Sequence, residues 1–307
     1  MSFNTEKWEF DFVKHRNKFF LISLSLLVLG TICLFIFGLN LGIDFKSGSR
    51  VDVTTEQTLS VDEIKEQFEE IGFTPEEVTL AGNNSEIAVA RFIGVLSQEE
   101  IASIKNHFSS EYHAEPSIST VSPQVGRELA KNAFIAVVIA SIGIIIYVAI
   151  RFEWLQGVAA IIALFHDAYF IIVLFSILQL EVDIAFIAAV LTIVGYSIND
   201  TIVTFDRIRE NMKYEKKVRT FEDVARVVNK SLIQTLGRSI NTVLTVVFAA
   251  AALMVFGSES IRTFSIALFI GLIAGTYSSL FIASQLWAVW KGKQLEKKRF
   301  QSVENEA

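Results

Sequence analysis

The apolar residues of this chain are bunched into six windows, each long enough to cross a bilayer, and that bunching decides what kind of solvent the chain folds in. A hydrocarbon core about 30 Å thick needs roughly 20 mainly apolar residues in a helix. Windows of that kind run over 19–39, 133–150, 154–178, 184–205, 239–256 and 264–290. Of the 307 residues 52% are hydrophobic, 26 are Phe and only 3 are Pro, and the mean hydropathy is +0.47. Water alone cannot be the solvent of so segregated a sequence, which predicts an α-helical polytopic membrane protein with six transmembrane helices.

The first window is preceded by Lys14, Arg16 and Lys18, as a signal peptide would be. Its apolar run exceeds the roughly 7 to 15 residues of a signal core, and no small-x-small cleavage site follows at Leu39, Asn40, Leu41 and Gly42, so it reads as a retained anchor. Lys and Arg in short loops stay on the cytoplasmic side. Placing both termini inside puts Lys7, Lys14, Arg16 and Lys18, then Arg151, nine basic residues over 207–238 and five over 291–299 in the cytoplasm. The short outer loops, 179–183 and 257–263, then hold only Arg262.

The resulting organisation is a cytoplasmic amino terminus (1–18), a first helix (19–39), an extracytoplasmic domain (40–128), a bundle of helices two to six (129–290) with a basic cytoplasmic loop at 206–238, and a cytoplasmic tail (291–307). The domain is acidic, with 16 acidic and 6 basic residues from Gly42 to Glu128, which argues against nucleic acid as a partner. The sole cysteine, Cys33, lies in the first span, so no disulfide holds that domain together, and the 4 His show no zinc spacing. Alternation at Val51 and Val53 marks a strand; Ser60 with Glu63 is a capping box opening a helix. Two strands near 78–81 and 86–92 flank the turn residues Gly82, Asn83 and Asn84. Ser97 with Glu100 opens a second helix, and 117–121 alternates again. This βαββαβ order predicts a small α+β, ferredoxin-like domain. In the basic loop, Phe221, Val224, Val228, Leu232 and Leu236 recur at helical spacing, which suits either a helix lying on the inner leaflet or one packed against the bundle.

Ionisable residues inside a membrane cost at least about 2.5 to 3.5 kcal/mol each on insertion scales, so each needs a reason. The fourth window carries a polar stripe in which Tyr196, Asp200 and Thr204 share a face and Asn199 is adjacent, with Asp200 one to two turns from the cytoplasmic end. The fifth opens with Arg238, Ser239, Asn241 and Thr242 on the same membrane side. An arginine there can pair with Asp200 or release it, and protonating the carboxylate would abolish the pair, which is the logic of a cation relay. Snorkelling of Arg238 to lipid phosphate is the bland alternative. The third window holds His166 and Asp167; the two can shuttle protons, but neighbours in sequence do not share a helix face, and hydrogen bonding between helices explains them equally well. Gly271, Gly275 and Ser279, four apart in the sixth window, form a face for close helix packing. No GxxxxGK[ST] stretch occurs, so no nucleotide or other cofactor is implied.

The stretch GYSINDTIVTFDRIREN at 195–211 closely resembles the signature of the SecF subunits of the SecD/SecF family, within the resistance, nodulation and division superfamily. LGIDFKSGS at 41–49 resembles the motif that follows the first span in that family, with Ser47 where many members have a second glycine. The His166 and Asp167 pair, Arg238 opening the fifth window and GTYSS at 275–279 match as well. The resemblance spans essentially the whole chain. It implies a multi-pass protein of the bacterial cell membrane that works with SecD and the SecYEG translocon on secreted preproteins, using the proton or sodium gradient after the ATP-driven stage. It also implies that Asp200 is the cation site and Arg238 its partner. A small-molecule or lipid exporter of the same superfamily would carry twelve spans and two large outer domains in one chain. An intramembrane aspartyl protease would need a GxGD pattern that is missing, and a non-catalytic translocase scaffold would use the polar residues only as glue.

Overall fold

The computed structural model describes residues 10–306 apart from 56, 83, 114, 216 and 217. In chain order, α1 (Arg16–Phe37) leads through a two-residue strand, β1 (Asn40–Leu41), and a helical turn, α2 (Ile43–Lys46), into a folded domain. The domain contains β2 (Gly48–Thr54), α3 (Val61–Glu70), β3 (Glu77–Ala81), β4 (Ile87–Phe92), α4 (Gln98–Tyr112) and β5 (Ser117–Val121). Next come α5 (Pro123–Arg151), α6 (Trp154–Leu178), the short strand β6 (Glu181–Val182), α7 (Ile184–Tyr214) and α8 (Phe221–Phe256). The chain ends in α9 (Glu259–Ser278), a π-helical turn (Ser279–Ala283) and α10 (Ser284–Glu306). Among the described residues, 6 helical spans are long and apolar enough to cross a membrane: α1, α5, α6, α7, α8 and the run of α9 into α10.

The domain is the expected mixed fold. Its antiparallel sheet has the order β3-β4-β2-β5, the ferredoxin-like arrangement, with β2 in the middle paired to β4 and β5. Alternation turns Val51 and Val53 of β2 and Ala88, Ala90 and Phe92 of β4 to one face, where Ile64 and Phe68 of α3 and Ile104 and Phe108 of α4 cover them. Both helices start where capping chemistry places them. Ser60 Oγ accepts from the Glu63 N–H at 3.2 Å, and Ser97 and Glu100 bond reciprocally at 3.3 and 2.7 Å. Of the turn residues Gly82, Asn83 and Asn84, Asn83 lies outside the described residues.

A junction that the sequence does not announce ties the domain to the bundle. β1 pairs in parallel with β6, matching Asn40 with Glu181 and Leu41 with Val182. The Gly42 N–H donates to the Val182 carbonyl at 2.8 Å, and the Ile184 N–H donates to Asp44 Oδ2 at 3.0 Å. Arg91 of β4 donates to Glu181 at 2.7 Å, and to Glu77 and Asn40 at 3.0 Å each. Arg50 of β2 stands 3.5 Å from the same Glu181 carboxylate. Two sheet strands are thereby fastened to the start of α7, where Asp183 caps the helix by accepting from the Phe186 N–H at 2.7 Å.

Within the bundle α6, α7 and the α9–α10 run form the interior, while α1 and α5 keep broad apolar faces exposed, as helices bathed in lipid do. α7 and α9 approach closely. A Cβ built on Gly271 would stand 2.2 Å from Ile193 Cδ1, and one on Gly275 would stand 3.1 Å from Ser197 Cβ, so a small residue is what lets the two helices meet. The segment 206–238 is nearly all helix. α7 continues past the apolar window to Tyr214, α8 starts at Phe221 behind a capping box of Thr220 and Asp223, and Asn211 Nδ2 ties the two together by donating to Ser231 Oγ and Gln234 Oε1, both at 2.8 Å. Val224, Val228, Leu232 and Leu236 are buried against Phe205, Ile208 and Trp287. That packing settles the two readings of this amphipathic helix: it lies against the bundle.

Two expectations follow from these contacts. Gly271→Val should overpack the α7–α9 contact and cost about 1–3 kcal/mol, lowering the thermal unfolding midpoint in detergent, and Ile193→Ala in the same chain should recover part of the loss. At the junction, burial and the nearby Glu181 and Asp44 lift the Asp183 carboxyl to about 6, against the Phe186 hydrogen bond and Arg50. A folded-state value above the unfolded 3.8 means the folded junction holds a proton the open one releases. The junction should therefore loosen as pH rises from 3.8 to about 6 and stay level above, read as amide exchange at Ile184 to Phe186; Asp183→Asn should remove the dependence.

Candidate intramembrane cation site

Asp200 projects from α7 toward α8. Its Oδ1 accepts a hydrogen bond from Ser239 Oγ at 2.5 Å, and its Oδ2 is buried with no hydrogen-bond partner among the described residues. Beside it is a cavity of about 30 Å³, lined among others by Tyr196, Asn199, Asp200, Arg238, Thr242 and Thr276. That volume exceeds the roughly 10–15 Å³ one water needs. Arg238 is exposed at the flank of the bundle and shares the cavity, but among the described residues no ion pair joins it to Asp200. Ser239 holds the carboxylate instead. Thr204, one turn further along α7, is turned inward: it is buried, it does not line the cavity, and its hydroxyl has no partner among the described residues.

Asp167, on α6, packs against α7 and is fully buried. Its Oδ2 accepts from Ser197 Oγ of α7 at 2.5 Å and from Ser278 Oγ of α9 at 2.7 Å. His166 Nδ1 reaches Oδ1 only at 3.5 Å, the limit of a hydrogen bond, as expected of adjacent helix positions that face apart. The His166 ring lies beside Tyr277 at 6.1 Å, and its Nε2 is buried without a partner among the described residues. Ser279, which begins the π turn, joins Thr201 of α7 at 2.8 Å. Gly271, Gly275 and Ser279 thus face Ile193, Ser197 and Thr201 across one contact.

Asp200 and Asp167 take their hydrogen bonds from different hydroxyls, Ser239 for the first and Ser197 and Ser278 for the second. Among the described residues no group of three or more His, Cys, Asp or Glu side chains comes together as a metal site. What the Asp200 side offers is a carboxylate with one satisfied and one open oxygen, beside a small polar cavity and a guanidinium. In surroundings of low polarity such a group takes up a proton or another monovalent cation when its counter-charge is withdrawn. The sequence named the carboxylates but not their partners. Ser239 stands in the polar opening of the fifth window and Ser278 in an apolar helix, and only the facing of two helices makes them donors to these carboxylates.

Comparison with known proteins agrees with the sequence signature. The family described as Protein export membrane protein SecD/SecF, C-terminal, matches residues 100–293, and the SecD/SecF GG motif matches residues 34–59. The chain is 55% identical over 292 residues to protein translocase subunit SecDF of Bacillus subtilis, covering 95% of this chain and 39% of that one. It is 42% identical over 296 residues to protein translocase subunit SecF of Alicyclobacillus acidocaldarius, covering 95% of this chain and 96% of that one. Among solved structures it resembles SecDF of Thermus thermophilus, described as a translocon-associated membrane protein, with a TM-score of 0.83 at 37% identity over 93% of this chain and 39% of that one. SecDF in a super-membrane-facing form gives 0.70 at 35% identity over 95% of this chain and 40% of that one. The chain therefore spans about two fifths of the SecDF relatives and nearly all of the SecF relative.

The unpartnered Thr204 hydroxyl generates an expectation of its own. Burying a hydroxyl without a partner costs about 1–3 kcal/mol, so the isosteric Thr204→Val should hold or raise the thermal unfolding midpoint in detergent.

Proposed function

The chain belongs to the SecD/SecF family of protein export membrane proteins, and from that premise we propose that it is a SecF-like subunit driven by a proton or sodium gradient, acting with a SecD-like partner at the SecYEG translocon on preproteins. The observation that carries this reading is the open Oδ2 of Asp200 beside a cavity it shares with Arg238. With the carboxylate charged, Arg238 supplies the nearby positive charge; a proton or sodium ion bound at Oδ2 makes the arginine dispensable and frees α7 and α8 to repack. Tyr196 and Asn199 supply further polar atoms to the cavity, while Thr204 and His166 remain candidates for carrying protons further into the bundle.

The distribution of Lys and Arg supports an orientation with both termini in the cytoplasm and the folded domain outside. Asp200 then lies toward the inner half of α7, and the Arg91–Glu181 junction sits at that helix's outer end. A shift of α7 would reach the domain through this fastening. Exposed Asn199 and Arg238 leave the cavity bordering a flank of the bundle, which suits closure by a second bundle of the SecD type. SecDF relatives of more than twice the length, whose printed name joins the two subunits, support the same division of labour. The sequence holds no GxxxxGK[ST] stretch, so on this reading energy comes from the gradient or from a partner. The exporter reading gains nothing from the comparisons.

Secretion of a reporter into inverted vesicles, at matched protein abundance with and without an ionophore, tests the proposal. Asp200→Asn and Arg238→Met should each lower the ionophore-sensitive part of secretion about 5- to 150-fold, as expected from losing a coupling free energy of roughly 1–3 kcal/mol. Normal secretion by both variants would mean that the protein acts as a scaffold.

A further inference from the structure

The second buried carboxylate is not used by the relay at Asp200, and its surroundings are unusual for simple packing. Asp167 has hydroxyl donors but no Arg or Lys partner among the described residues. An ionised carboxylate without a counter-charge in so apolar a place is costly, while a protonated one is not. The titratable and charged groups on the surrounding elements are His166 on α6, Tyr196 and Asp200 on α7, Arg238 on α8 and Tyr277 on α9; α1 reaches the cluster through Ser23, 3.3 Å from Tyr277 Oη.

Ser197, three residues before Asp200 and on the same face of α7, connects the two carboxylates. It lines the cavity beside Asp200, and its hydroxyl donates to Asp167. We propose that Asp167 is a second proton-binding site, loaded from the Asp200 cavity through the Ser197 hydroxyl and read out by Ser278 at the head of the π turn. The inference rests on the cation-relay reading and narrows its ion to the proton, because a hydroxyl between two carboxylates passes protons and not sodium.

The transfer balances atom by atom. A proton on Asp200 Oδ2 passes to a water in the cavity, and that water gives a proton to Ser197 Oγ as the serine's own hydrogen leaves for Asp167 Oδ2. At the water and at Ser197 one O–H bond forms and one breaks. Asp200 ends ionised and Asp167 neutral.

Ser278 can register the change because it has two acceptors within reach. Toward ionised Asp167 it donates at 2.7 Å, and the Gly275 carbonyl stands 3.2 Å away. When Asp167 carries a proton and donates it to Ser278 Oγ, the serine turns its own hydrogen to Gly275. Both states leave Asp167 Oδ2 and Ser278 Oγ hydrogen-bonded, and the switch occurs one residue before the π turn, where a helix has a ready alternative hydrogen-bonding pattern.

The test uses the complex with its SecD-like partner in proteoliposomes, reading infrared bands of protonated carboxyls that change with pH together with ionophore-sensitive secretion. Two proton-sensitive carboxyl bands are expected, one lost in Asp167→Asn and a different one in Asp200→Asn. Asp167→Asn and Ser197→Ala should each lower ionophore-sensitive secretion about tenfold, and Asp167→Glu should restore part of it. If Asp200→Asn loses that secretion while Asp167→Asn and its spectrum match the wild type, the second site is wrong and the relay at Asp200 stands. If both variants secrete normally, the relay falls and the second site with it. Should Asp167→Asn fail to accumulate, Ser197→Ala decides, since the Ser278 bond still holds α6 to α9; unchanged secretion there would overturn the proposal.

Discussion

A carboxylate set among apolar helices has to be given hydrogen-bond donors by its neighbours, and that requirement governs how this bundle is packed. Asp200 takes Ser239 from α8, and Asp167 takes Ser197 from α7 and Ser278 from α9. Hydroxyls are short, so these bonds exist only where backbones approach closely. Gly271 and Gly275 provide that approach between α7 and α9. Lipid offers no hydrophobic reward for helix association, and packing of small residues with hydroxyl bonds between helices is the cohesion that remains. The same contacts therefore hold the bundle together and define the environment of its charges.

α7 is the element on which the rest converges. It runs 31 residues, about 46 Å at the helical rise, without a break. Its first turn is fastened to the domain through β6, Asp44 and the Arg91–Glu181 ion pair, and its far end is locked to α8 by Asn211. Between these ends it carries Ser197, Asp200 and Thr201, each bonded to a different helix or to a different residue of α9 and its continuation. A rigid rod with attachments at both ends and its polar groups in the middle moves as a unit or not at all, which suits a part that converts an event at a carboxylate into displacement elsewhere. The opposite partner in that contact is less regular: the α9–α10 run contains the π turn, and the serines there bond Asp167 of α6 and Thr201 of α7.

The domain shows how far local sequence signals reach. Its strands and helices follow from alternation and capping residues a few positions apart, and its core follows from which face the alternation turns inward. The junction beneath it does not follow from such signals. β1 and β6 are two residues each, too short for any periodicity, and they pair across more than a hundred positions of sequence. Likewise the helical spacing of Val224, Val228, Leu232 and Leu236 revealed an apolar stripe but not whether lipid or protein would cover it; burial against Phe205 and Trp287 supplied the answer.

By itself the sequence determined six spans, a βαββαβ domain, membership of an export family and the two carboxylates of the bundle, because apolar windows, capping boxes and motifs are written within a few residues of one another. The tertiary structure decided who satisfies those carboxylates. It put Ser239 on Asp200 where Arg238 was expected, turned Thr204 away from the cavity, and placed Ser197 between the two acidic groups. The physical reason is that a hydrogen bond is sensitive to tenths of an ångström between side chains on different helices, and the rotation and spacing of packed helices are properties of the whole bundle.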